Sequence, residues 1–268
     1  MSLSIYQSTL KKSLNFLLGL AVCVAGLVLC LSALFPSMAS GNSYTDLLKT
    51  LPSGMLDAIG MKGSVSNFND YLNMNFYNSI YLYILMVYVI VFPLDLISRP
   101  IEDTSLVYYL NSPVSRKKFF YSQAVVMVSG LLAIGILSAV FGIASRKIFA
   151  RGYQFSAAEF VKSNVMIGCI FLFLGSLCLL FGAISKRVSE AATYGATIII
   201  AEYFLDMLVK ISDKAGWLKY LTVFTLYNAD SAKSGLDAFS LKCGVLVAVS
   251  CLITILAAEL FKRRDLAI

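Results

Sequence analysis

SRPIEDTSLVYYLNSPVSRKKFFYSQ, Ser98 to Gln123, is the most charged stretch of an otherwise apolar chain. It holds Arg99, Glu102, Asp103, Arg116, Lys117 and Lys118 between two long apolar runs. Glu102 and Asp103 stand where the positive end of a short helix would favour anions. Leu106, Val107 and Leu110 recur at helical spacing and give that helix a small apolar face. Asn111-Ser112-Pro113 ends it, because a residue before proline resists the α region. Ser112 is placed to cap the next helix, with Pro113 at its first position. The pattern predicts a short amphipathic helix, a sharp corner, and a second helix entering a bilayer behind a basic collar.

The rest of the composition agrees. The 268 residues are 59% hydrophobic and 14% charged, with a mean hydropathy of +0.79. A soluble chain carries about 25% charged residues, so this is an integral membrane protein by composition. The net charge of +7 does not indicate nucleic acid, because the basic residues gather at the edges of apolar runs. The chain has no histidine, which excludes Ser-His-Asp and Cys-His catalysis and the usual zinc spacings. Cys23, Cys30, Cys169, Cys178, Cys243 and Cys251 lie in or at the edge of apolar runs, show no CxxC pair, and read as small apolar fillers. GxxxxGK[ST], GxSxG and HExxH are all absent. No catalytic, cofactor or metal residues are assigned.

The expected fold is all-α: one transmembrane domain over residues 1–268 with spans near 14–35, 80–97, 124–144, 165–184, 193–209 and 243–261. Leu3, Tyr6, Leu10 and Leu14 fall near one face ahead of the first span and predict an interfacial helix. Residues 36–79 are rich in Ser, Asn and Gly, with short helical pieces broken at Pro52, and predict an extracellular cap. Pro93 and Asp95 predict a kink and a polar contact near the inner end of the second span. Gly130, Gly135 and Gly142 in the third span, and Gly168, Gly175 and Gly182 in the fourth, allow close helix approach. Trp217 to Tyr227 is too short to cross. It predicts a re-entrant or interfacial pair with Trp217, Tyr220 and Tyr227 at headgroup depth.

Six spans put both termini on one side. The lysines and arginines divide equally, 11 to 11, between the two sides. Those on the termini side are crowded into short loops beside span ends, which places both termini in the cytoplasm. Glu202, Asp206 and Lys210 share one face of the fifth span. The two acids are candidates for a substrate path or gate, since an intramembrane carboxylate must face protein or water. Asp95 and Glu259 are read as structural partners of the basic collars.

Glu102 through Arg116 reads E-D-x-S-L-x-x-x-L-x-S-P-V-S-R. This run resembles the cytoplasmic segment between the second and third spans of ABC-2-type transporter permeases. There an acidic residue precedes a short coupling helix and a Leu-x-x-Pro-Val-Ser-Arg-like corner. The six-span layout, a helix before the first span, a re-entrant pair before the sixth, and the basic end FKRRDL are similar to that family as well. The enlarged segment 36–79 departs from it. Size and layout resemble the members that export amphipathic peptides, such as the phenol-soluble modulin exporters. The resemblance implies a non-enzymatic permease subunit in the plasma membrane. ATP and Mg would be held by a separate ABC ATPase subunit, and a second permease copy or a related permease would complete the pathway. Glu102, Asp103, Leu106, Val107, Leu110, Pro113 and Arg116 would form the ATPase-docking element. The competing readings are an ion-coupled secondary transporter and a non-transporting immunity or sensor protein.

Overall fold

In a computed structural model of the chain, the residues described are 2–40, 67–103, 105, 114–211, 213–227 and 236–264. Among them, six helices are long and apolar enough to cross a membrane. These are α1 (Leu3–Ser40), α2 (Phe68–Glu102), α3 (Arg116–Phe149), α4 (Ala157–Ile184), α5 (Val188–Ile211) and α6 (Leu236–Arg263). The described residues are therefore all-helical, in the pattern of a multi-pass membrane protein.

Hydropathy marks the thickness of a bilayer, whereas a helix continues for as long as its backbone bonds do. Every span accordingly extends beyond its apolar stretch. No proline lies between Leu3 and Phe35, so the segment read as a separate surface helix runs unbroken into the first span. The 38 residues of α1 reach about 57 Å at about 1.5 Å per residue, against about 30 Å of hydrocarbon. Its ends must project from the apolar layer. The second span likewise starts earlier than its hydropathy indicates. Phe68 to Ser79 are continuous with α2, and residues 41–66 of the expected cap lie outside the described ones.

Two stretches of α2 widen into π-helix, Asn73–Ile80 and Leu94–Ser98. The second follows Pro93, which has no N–H to donate and whose ring crowds the preceding turn. The backbone answers with a wider repeat, so that the Arg99 N–H bonds to the Leu94 carbonyl. This is the local distortion expected at Pro93.

α2 and α4 are central, with 61% and 56% of their apolar windows inside the bundle, against 17% for α5. α4 touches α2, α3, α5 and α6, while α1 lies along α3. Lipid tails are as apolar as leucine, so close packing and hydrogen bonds must hold such a bundle together. A side chain at Gly130 would meet the Tyr88 hydroxyl at 2.4 Å, and one at Gly142 would meet the Phe160 ring at 2.2 Å. Between these contacts lies a polar thread. Asn164 Nδ2 shares its two hydrogens among the Tyr77 hydroxyl at 3.1 Å, Ser138 Oγ at 3.1 Å and the Gly135 carbonyl at 3.2 Å. At one end, Phe35 packs against Phe68, Tyr71 and Tyr153 with centroids 4.8–5.1 Å apart. The other end carries the charged stretch.

Candidate functional site

The flanks of the 98–123 stretch are braced onto the ends of four other helices. Glu102 is the last residue of α2 and Asp103 is its C-cap. Both therefore sit at the negative end of the helix that precedes them, and the short helix expected to follow lies outside the described residues. Glu102 finds its positive partner elsewhere. Its Oε2 accepts the backbone N–H of Val188, the first residue of α5, at 2.7 Å. The carboxylate thus meets the unpaired N–H groups of a different helix.

Leu106, Val107, Leu110 and Pro113 lie outside the described residues. On the far side of them, α3 begins at Arg116. Its cap is Ser115, not Ser112: extended backbone turns the Ser115 hydroxyl to accept from the Lys118 N–H at 3.4 Å. Arg116 Nη1 donates to the carbonyl of Arg264 at 2.8 Å. The guanidinium of Arg264 in turn donates to the Ala183 carbonyl at 3.0 Å, in the last turn of α4, where carbonyls lack helical partners. Lys117 pairs with Glu259 of α6. The Ser2 N–H donates to Ser122 Oγ at 2.9 Å, so both described ends of the chain meet the start of α3. Burial lowers the Arg264 guanidinium from its ordinary range, and the charge of Glu190 opposes that. Glu102 and Arg116 are thus each engaged within the chain, through Oε2 and Nη1 respectively. Asp103 remains exposed at the tip.

The other acids are also placed. Asp95 Oδ1 lies 2.9 Å from Arg99 Nε, in the π segment after Pro93, and Glu259 meets Lys117. Both are the collar contacts expected of them. Glu202 Oε2 accepts the Val223 N–H at 2.9 Å, and its carbonyl accepts from Thr222 Oγ1 at 3.2 Å. Asp206, 3% exposed, pairs with Lys210 at 2.7 Å. Glu202 therefore pins the connection between α5 and α6. That connection contains two short 3₁₀ helices, Asp213–Tyr220 and Phe224–Leu226. Trp217 and Tyr220 are exposed, but Tyr227 is buried and its hydroxyl reaches Asn73 Oδ1 at 3.3 Å. Burial raises its phenol above the ordinary range, opposed by a hydrogen bond with Ser163. Tyr227 is thus packed against the bundle, with Asn73 as a polar partner for its hydroxyl.

Three pockets accompany these contacts. An apolar groove of about 320 Å³ runs between α3 and α4, floored by Tyr81, Gly135, Asn164 and Gly168. A polar pocket of about 540 Å³ at the aromatic end holds Asn69, Arg146 and Glu159. A third, of about 240 Å³, lies at the charged end between α1, α2 and α3. Neither Glu202 nor Asp206 lines any of them.

No family model matches the chain, and no curated protein matches it. The geometry alone ranks the residues. Arg264 joins three helix ends, a role its place in a basic run does not signal. Gln123 and Asn164 stand just outside the expected spans 124–144 and 165–184, and both are buried. Their signal in sequence was an amide side chain set directly against an apolar run.

Proposed function

We propose that this chain is the permease subunit of an ATP-driven ABC exporter of the ABC-2 type, working with a separate nucleotide-binding subunit. Its substrate would be hydrophobic or amphipathic, moved outward by two copies or by this chain and a related one, with two-fold symmetry as the default arrangement. The observation that carries the reading is the bracing of both flanks of the 98–123 stretch. Glu102 reaches α5, Arg116 reaches α4 and α6 through Arg264, and Lys117 reaches α6. A push on the residues between Asp103 and Val114 would pass into the bundle rather than into a slack loop. This is the mechanical requirement of a docking element driven by a nucleotide-consuming partner.

In this reading the charged end faces the cytoplasm with both termini. The first turns of α1 lie at that interface, and Asp213–Leu226 is the re-entrant or interfacial segment, with Trp217 and Tyr220 at headgroup depth. Leu106, Val107 and Leu110 form the apolar contact with the partner, ATP and Mg being held there.

The test is purification of the full chain from its native membrane with its nucleotide-binding subunit. Leu106→Asp should release that subunit or uncouple its ATP hydrolysis from export, while leaving the membrane part folded. If Leu106→Asp and Pro113→Gly both retain the subunit and export normally, the reading is wrong.

A further inference from the structure

The apolar groove between α3 and α4 has one unmet requirement. Asn164 lines it and is 6% exposed. The two hydrogens of its Nδ2 are taken up by Tyr77, Ser138 and the Gly135 carbonyl. That carbonyl can only accept, which fixes which way the amide is turned. Asn164 Oδ1 then has no hydrogen-bond partner among the described residues, and it is not fully enclosed. It faces the groove floor: a side chain on Gly135, itself a lining residue, would begin 3.3 Å from it. The other polar groups of the lining are matched, the Tyr81 hydroxyl by Ser138 and the Cys169 thiol by Cys243. An acceptor in an apolar layer without a donor costs free energy.

The groove has the length of one leaflet. Gly142 faces Phe160 and Gly175 faces Met127, so α3 and α4 run antiparallel. Ala139 and Val161 therefore mark one end of the groove, and Val128 and Leu172 the other. The ends are about 16 Å apart at about 1.5 Å per residue, close to half of the ~30 Å hydrocarbon layer. Asn164 stands near the aromatic end, about 7.5 Å inside Glu159 along α4. No lysine, arginine, aspartate or glutamate lines the groove. Its floor is open at Gly168, where a Cβ would meet nothing within 4 Å.

An apolar channel of leaflet length, without charge and with a single free acceptor near one end, describes its occupant. We infer that this groove binds an uncharged lipid alcohol of the diacylglycerol type. One chain lies along α3 and α4, and the free hydroxyl donates to Asn164 Oδ1. A hydroxyl supplies the one O–H that the acceptor lacks. A phospholipid of the same chains fits less well, because bringing its phosphate down to the depth of Asn164 would take a charge out of water with no cation in the lining to meet it. A lipid without a headgroup charge sinks to that depth freely. The site does not depend on a partner ATPase, so it stands or falls apart from the proposed function.

The experiment is native mass spectrometry of the purified full chain in micelles doped with equimolar diacylglycerol, its O-methyl ether and phosphatidylglycerol, all with the same chains. The ether differs from diacylglycerol by the loss of the donor alone, so the protein need not be altered to test the hydrogen bond. Diacylglycerol should be retained over the ether about two- to tenfold, the net worth of one neutral hydrogen bond, and over phosphatidylglycerol as well. Gly168→Leu, at a position with open space, should keep the fold and lose the bound diacylglycerol. Equal retention of diacylglycerol and the ether would overturn the assignment, leaving a groove that takes any chain. Preference for phosphatidylglycerol would overturn it in favour of a basic rim. Unchanged retention in Gly168→Leu would put the lipid elsewhere, and a change of that variant from dimer to monomer would make the groove a contact between copies instead.

Discussion

Glu102 serves a helix other than its own, and this shows how little a single residue's sequence position fixes its task. Its carboxylate sits at the wrong end of α2 for its charge and is stabilised by the first N–H of α5. Glu102→Ala should lower stability in unfolding titrations by about 0.5–1 kcal/mol, the modest value that an exposed carboxylate at a helix end brings. Glu202 offers a sharper choice. Its Oε2 needs only to accept from Val223, and a glutamine oxygen can do the same. If the chain is the ATP-driven permease proposed, Glu202→Gln should leave export within about twofold, as a neutral hydrogen bond replaces a charged one; an ion-coupled carrier would instead lose transport. The glycines divide by what surrounds them. Gly142→Ala drives a methyl into the Phe160 ring and should cost about 1–3 kcal/mol, whereas Gly168→Ala meets nothing within 4 Å and should fold as before. Both glycines carried the same expectation in sequence. Spacing shows that a glycine permits approach, but only the neighbouring helix decides whether approach occurs.

The helix ends, not the helix middles, carry the fold's specific chemistry. Apolar runs located all six spans in the right order. They failed at the boundaries because α2, α3 and α4 continue through Asn, Ser, Lys and Arg, which form helix readily once packed. The cap at Ser115 rather than Ser112 follows from the same limit: proline permits a helix start but does not compel one. Arg264 joins α3, α4 and the end of α6 by two hydrogen bonds of different direction, one through its carbonyl and one through its guanidinium. Arg264→Lys keeps the charge and the carbonyl but shortens the reach to Ala183. Hydrogen–deuterium exchange should then rise around residues 183–190, while the start of α3, still held by the carbonyl, should change less. If exchange is unaltered in both, the brace contributes nothing.

Across the whole molecule, the charged end and the aromatic end differ in kind. The aromatic end is packed by rings, and the charged end is tied by capping and ion pairs that a displaced element could remake. The architecture was legible because period and length in sequence encode spans directly. The clamp was not, since it joins residues far apart in the chain, such as Glu102 with Val188 and Arg116 with Arg264. The proposed function requires that the tip at Asp103 face the cytosol, where a nucleotide-consuming partner can reach it. The direct measurement is labelling of Asp103→Cys, in a chain whose six native cysteines are replaced by serine or alanine, with a membrane-impermeant maleimide. Protection in intact cells with full labelling after permeabilisation is the predicted result; labelling in intact cells would contradict it.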